Sequence, residues 1–502
     1  MRTTALLPAL LLGLALPGPA SAGDSSLETR ARLDLRGGST DTYALDEGES
    51  GGGSVFGARL RLDASYAIDP ALKILAQVDL TSFDLYTAMP EMEGLGWTDA
   101  HPGFGGRSLR FDPRHLYAVW TTSKGQLRVG AQSSQWGLGL VASSGDSEPI
   151  WGVARNGDLV FRALFITRPL EFLSDGQLGK ELYLGVGGDL VHRDENAELF
   201  SGDRALQAVG SLIWRHRPGQ QEVGIYLAYR AQKDRADTAG LRADLNVLVA
   251  DAYGRWQGQL FDGLSGLAEG ELALLTGHTT RLRPEASPDG VDVLALGWAA
   301  HGELKLDEAG VSAGLWAVYA SGDQNTEDDQ LRRMRLDPDF KPSLILFERV
   351  LADSSARNRA RIADPSRTNI PQAGSQFLPT GGSVSGAFLV GPVISYDTPL
   401  AGLSVKAGLM WARATADLED PYASFATGGT PVNLQGGKPD RELGLELDLG
   451  LRYERQLTDT LSLVALAEGG YFLPGAAFAG VDTTMDPILA GYLAGRLQWR
   501  LP

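Results

Sequence analysis

The chain has no cysteine among its 502 residues, so no disulfide can staple it. It has no excess of positive charge either. Lys and Arg number 45 against 62 Asp and Glu, a formal net charge of −17, which argues against nucleic acid as a partner. Histidine is scarce, at six residues, and neither an H-E-x-x-H nor a P-loop spacing occurs. No enzymatic site, cofactor or metal centre is therefore expected. Beyond the N-terminus no apolar run is long enough to cross a bilayer as a helix. No linker rich in Pro, Gly or Ser divides the chain.

What is present begins with "MRTTALLPALLLGLALPGPASAG". Arg2 precedes an apolar run from Ala5 to Leu16, and Ala20-Ser21-Ala22 forms a small-residue cleavage site. This is the pattern of a secretory signal peptide over residues 1–22. The run is shorter than the ~20 residues a spanning helix needs.

The rest is dominated by alternation. In "ELGLELDLGLRYE" (442–454) the apolar residues are Leu443, Leu445, Leu447, Leu449, Leu451 and Tyr453, with Glu, Asp, Arg and Gly between them. A period of two specifies strands. "LETRARLDLR" (27–36), "ARLRLDASY" (58–66), "LQAVGSLIWR" (206–215) and the terminal "LAGRLQWRL" (493–501) repeat it. About eighteen such segments occur, each near the ~10 residues of a tilted membrane strand.

The links sort by length. Those at 67–71, 122–126, 217–221, 307–310 and 397–402 are short, whereas 38–54, 87–110, 141–157, 324–378 and 417–440 are long. Aromatics sit at strand ends in the apolar phase: Tyr66, Trp120, Phe165, Trp214, Trp256, Tyr396, Tyr453 and Trp499 at one rim, Tyr229, Tyr319, Trp411 and Tyr471 at the other. Short turns on one side, long loops on the other and two aromatic girdles predict an all-β chain: a single antiparallel transmembrane barrel of about 18 strands over residues 23–502. Its place would be the outer membrane of a Gram-negative bacterium, and its C-terminal strand would be read by the barrel-assembly machinery.

"VGAQSSQWGLGL" (129–140) with "GD" at 145–146, "YASGD" (319–323), "DPDF" (337–340) with "LILFE" (344–348), and "YFLPGAAF" (471–478) resemble a family of bacterial outer-membrane β-barrels whose motifs carry no known chemistry. More distantly, the strand-plus-"ASGD" pattern resembles alginate-export-type porins, which implies eighteen strands. Ala131 stands where such porins tend to carry a basic residue, and no site residue is transferred from them.

The non-lipid phase of the strands then defines the lumen. Closure of the last strand on the first brings Arg496 and Arg500 beside Arg30, Arg32 and Arg36, next to Arg59 and Arg61. Such a wall either favours anions or is neutralised by Glu28, Asp34 and Asp63. Glu269, Glu271, Glu442, Glu446 and Asp448 give an acidic lumen elsewhere.

In the long connection 324–378, "PSLILFERVLADSSARNRARI" (342–362) reads as an amphipathic helix. Its Leu344, Phe347, Arg349 and Val350 would constrict the pore from the mouth. "DQNTEDD" (323–329) reads as a solvated acidic loop rather than a calcium site, since it lacks the glycine turn and distal glutamate of an EF-hand. These features imply a porin-like channel for small hydrophilic, anionic solutes, a monomer or small homo-oligomer in contact with membrane lipid. The alternative is a non-conducting barrel that displays its outer loops for adhesion or receptor use.

Overall fold

The computed structural model describes residues 26–45, 50–82, 109–154, 157–172, 176–236, 240, 242–364, 366–367 and 380–501. The expected signal peptide and most of the expected loop at 87–110 lie outside them.

Eighteen antiparallel strands form one closed sheet. The first half comprises β1 (Ser26–Ala44), β2 (Ser50–Ala67), β3 (Leu72–Ser82), β4 (Leu109–Thr122), β5 (Gly125–Ser133), β6 (Leu159–Thr167), β7 (Leu182–Arg193), β8 (Arg204–Arg217) and β9 (Gln221–Lys233). The second comprises β10 (Asp244–Phe261), β11 (Leu264–Thr279), β12 (Val291–Leu306), β13 (Val311–Ala320), β14 (Ala387–Asp397), β15 (Leu403–Ala414), β16 (Glu442–Thr458), β17 (Leu461–Pro474) and β18 (Ile488–Leu501). Each strand pairs with its chain neighbours, and β18 returns to β1 with Arg30 opposite Arg500 and Asp34 opposite Arg496. Closure leaves no strand edge unpaired.

The links sort as expected. Turns at 68–71, 123–124, 218–220, 262–263, 307–310, 398–402 and 459–460 close one end, and the segments 134–158, 321–386 and 415–441 leave the other. The link 168–181 is an exception on the short side, carrying a 3₁₀ turn (Pro169–Phe172) and a short helix α1 (Gln177–Glu181). The expected loop 38–54 is largely strand, since β1 and β2 pair as far as Ala44 and Ser50.

The outer face is apolar. Leu445, Leu447, Leu449 and Leu451 are exposed while Glu446, Asp448 and Gly450 between them are buried. Near the long-loop end Trp298, Tyr319, Phe388 and Trp411 form a belt across four consecutive strands, with ring centroids 6.2–6.4 Å apart.

The phase of β16 breaks at its start. Gly444, at φ 121°, forms a bulge against Ala412, so Leu443 turns inward and is buried. Glu442 turns out and accepts a hydrogen bond from Trp411 Nε1 at 2.7 Å. Its expected place in the acidic lumen is therefore corrected, because one inserted residue moves every side chain before it to the other face.

The barrel is filled by residues 134–154 and 334–362, which fold inward. The expected helix begins at 346 rather than 342, as π-helical turns (Leu346–Leu351) running into α2 (Ala352–Ala363). Leu346, Phe347, Val350 and Leu351 pack with Leu140, Met334, Leu336, Phe340 and Ile345. The wall meets them with small inward residues, among them Ala273, Ala295, Ala299, Ala320, Ala387 and Ala412. Burying each large side chain is worth roughly 1.5–3 kcal/mol, which offsets the ordering of a long connection.

Candidate functional site

Inward positions of β1 to β4 and β18 build a charge network. Asp34 accepts from Arg32 Nε at 3.1 Å, Arg59 Nη2 at 3.0 Å and Arg496 Nε at 2.9 Å. Asp79 accepts a bidentate pair from Arg61, at 2.7 and 2.8 Å. Asp146, from the infolded segment, is bonded to Arg61 and lies 3.7 Å from Arg114. Burial alone would raise the Asp146 carboxyl, but the Arg114 and Arg61 guanidiniums outweigh it and hold it below the usual carboxylate range.

Of the seven arginines singled out in the sequence, Arg32, Arg59, Arg61 and Arg496 join this network. Arg36 lines the same cavity as Arg32, Arg59 and Arg496 and donates to the Ala154 carbonyl at 3.3 Å. Arg30 and Arg500 are exposed beyond the network, Arg30 lying 4.0 Å from Glu28. Asp63 accepts from Gln77 at 2.6 Å.

The sequence reading missed Arg114, which is 1 % exposed at the centre of the cluster. It is the inserted residue where β3 and β4 slip: Val78 faces Pro113 and Gln77 faces His115. The insertion throws Arg114 inward, where Nε donates to Gln77 at 2.8 Å and Nη2 to the Ser144 carbonyl at 2.8 Å. The spacing of the outward residues Phe111 and Leu116 is odd, and that parity break was the available signal.

The acidic residues do different work. Glu446 accepts from three successive backbone N–H groups, of Leu344 at 2.8 Å, Ile345 at 2.7 Å and Leu346 at 2.9 Å. Glu271 accepts from the Leu138 and Leu140 N–H groups, the latter at 3.2 Å. Asp251 takes the Trp136 indole at 2.8 Å, and Glu468 the Gly152 N–H at 2.7 Å. Asp448 is buried beside Glu446. Glu269 pairs with Arg255 at 2.8 Å and His301 at 3.2 Å. Of the expected constriction residues, Phe347 and Val350 are buried in the apolar cluster, while Leu344 and Arg349 line a small cavity beside Trp151.

These anchors leave a cavity of about 350 Å³ toward the short turns. It is lined by Arg32, Arg36, Arg59, Arg452, Arg496, Lys305 and Lys406 against Asp34, Asp146, Glu148, Glu303, Asp397 and Glu468. A second, of about 210 Å³, lies toward the long loops and is lined by Arg230, Arg281, Arg333, Arg335, Asp158, Asp194, Glu195 and Asp337.

In the second cavity carboxylate oxygens of Asp158, Glu195 and Asp337, from three separate segments, come within 4.8 Å of one another. Hard oxygen donors of this kind suit a divalent cation. Burial and the neighbouring carboxylates push all three above their ordinary range. In the 323–329 loop the acidic side chains cap local backbone: Asp323 accepts from Asn325 N at 3.2 Å and Arg332 N at 2.9 Å, and Asp328 from Gln330 N at 2.9 Å.

His115 Nε2 lies 3.2 Å from Ser133 Oγ, a contact the sequence did not reveal. The sequence also contains a G-x-S-x-G spacing at Gly310–Gly314, but Ser312 there lies within β13 and its hydroxyl meets Ser395 at 3.1 Å. It sits on no strand-to-helix elbow.

A closed barrel with an apolar, aromatic-belted outside and a charged interior defines a transmembrane β-barrel. No protein-family model matches the sequence, and no curated protein matches it. The fold is similar to solved Pseudomonas aeruginosa structures. OccK9 (OpdG) aligns with a TM-score of 0.52 at 12% identity over 95% of this chain and 98% of that one. OccK8 (OprE) aligns with a TM-score of 0.50 at 10% identity over 95% and 99%. The outer membrane protein OprD gives 0.49 at 9% identity over 95% and 94%. These likenesses lend no support to the resemblance to alginate-export-type porins.

Proposed function

We propose that the chain is an outer-membrane channel for small hydrophilic solutes, with an interior that favours anions, and that it is a channel rather than an enzyme. In this reading residues 1–22 direct export and are removed, and the C-terminal strand engages the barrel-assembly machinery of a Gram-negative bacterium. The observation that carries it is the polar cavity beside Arg32, Arg36, Arg59 and Arg496, where seven basic side chains face six carboxylates behind an apolar wall. Segment 342–362 acts as the constriction.

Planar-bilayer recording tests this reading. The mature chain should give discrete conductances with anion selectivity, and deletion of 342–362 should raise the conductance severalfold. A clear cation preference would overturn the anion reading.

The buried cluster of Phe340, Leu346, Phe347 and Phe472 favours a second reading, a sealed barrel that displays its loops. Silence from the full chain and from the deletion variant alike would establish that one instead.

A further inference from the structure

One stretch of the outer wall departs from the apolar rule. On β8 and β9 the outward row rises through exposed Leu212, Ile225, Leu227, Tyr229 and Leu206. At the long-loop end it finishes in exposed Arg204 and Lys233, which stand directly opposite each other in the register. Like charges opposed across two strands destabilise the pairing, so the arrangement costs the free barrel something.

The neighbouring acids do not relieve it. Asp203 accepts from Glu198 N at 3.0 Å and Arg235 N at 2.7 Å, and among the described residues it makes no ion pair with Arg204 or Lys233. Asp244 faces Lys233 from the other side in the register, and among the described residues the two form no ion pair. Among the described residues Arg204, Lys233 and Arg235 make no ion pair through their side chains. The hydrogen bond that its backbone N–H donates to Asp203 holds Arg235, also exposed, beside Gly202 and so next to Arg204.

Phe200, 62 % exposed, lies in the same rim turn. Lys233 is four residues beyond the interfacial Tyr229, a rise of about 13 Å, which places its ammonium at headgroup depth. A chain of net charge −17 thus presents, directly above a hydrocarbon-compatible stripe, three cations that make no ion pair among the described residues.

We infer that Arg204, Lys233 and Arg235 form a binding site for the phosphate of an acylated, phosphorylated glycolipid of the outer leaflet, whose chains lie along Leu206, Leu227 and Tyr229. The phosphate supplies the missing counter-charge, guanidinium and ammonium groups are its natural donors, and the apolar row below accounts for a lipid rather than a free ion. The inference rests on the outer-membrane reading above.

The test uses the folded mature chain in detergent, titrated with bisphosphorylated lipid A and with its dephosphorylated form. Wild type should bind the phosphorylated lipid more tightly. Arg204→Ala and Lys233→Ala should each lose about fivefold and the double variant about 25-fold, the effect of ~1 kcal/mol per basic residue at an anionic lipid surface. Arg413→Ala, an outward cation registered against Glu442, should bind as wild type does. Equal affinity for both lipids, an unchanged double variant, or displacement by millimolar inorganic phosphate alone would each overturn the lipid site while the barrel reading stands. A chain that is water-soluble and monodisperse without detergent would overturn both.

Discussion

On β1, β2 and β18 arginines meet aspartates side chain to side chain, whereas on β11, β16 and β17 carboxylates meet the backbone N–H groups of segments folded in from the loops. The two sectors bury comparable charge in different company. A guanidinium has five donors and no acceptor, so inside a barrel it needs carboxylates or carbonyls. A carboxylate only accepts, and a loop entering the lumen arrives with unsatisfied N–H groups. The basic sector therefore fastens strand to strand and also grips loop carbonyls and Asp146, whereas the acidic sector fastens loop to wall through N–H groups.

The first way to break this comparison is Asp34→Ala. It strips three guanidiniums of a shared partner and should destabilise by about 3–5 kcal/mol. Urea unfolding of the detergent-folded barrel measures this, and a loss below ~1 kcal/mol would mean the arginines are already hydrated. Next, Glu446→Ala leaves three N–H groups without their acceptor, at about 3 kcal/mol. Here the barrel should survive while the infolded segment loosens, read as new protease cleavage within 346–363. Intact resistance to protease would remove Glu446 as an anchor. Glu271→Ala should act likewise on 138–140 by about 2 kcal/mol.

A smaller effect has the opposite sign. Because burial and neighbouring carboxylates hold the folded-state carboxyls of Asp158, Glu195 and Asp337 above their unfolded values, keeping them charged weakens the fold at neutral pH, a cost relieved as pH falls and they take up protons. Asp337→Asn should therefore stabilise at pH 7–8, by about 1 kcal/mol, with the advantage over wild type shrinking as pH falls. An advantage that grows toward acid would reverse the assignment. The smallest change is Trp411→Phe, which removes one hydrogen bond to Glu442 and should cost about 0.5–1.5 kcal/mol.

Much of this was legible before any coordinates. The leucines of 445–451 and the inward partners of Asp34 follow from alternation alone, because a strand has only two faces. Two residues escaped, and for one reason. Glu442 and Arg114 both sit at bulges, where an extra residue reverses the phase.

A further signal was present but unread. In "VDVLALGWAA" (291–300) the inward positions Val293, Ala295 and Ala299 are apolar as well as the outward ones. A strand greasy on both faces needs a dry neighbour inside, and Leu336 and Met334 supply it, packed against the same wall at Gly297.

The sequence by itself determined the barrel, its closure, its two unequal ends and the phase of most strands, since these depend on local periodicity and link length. The tertiary structure decided which charges touch, which are covered, and that residues 134–154 and 334–362 enter the lumen rather than cap it. Those outcomes depend on side chains from segments far apart in the chain, such as Leu346 and Glu446 or Asp146 and Arg61, meeting across the interior, and no local pattern encodes that distance.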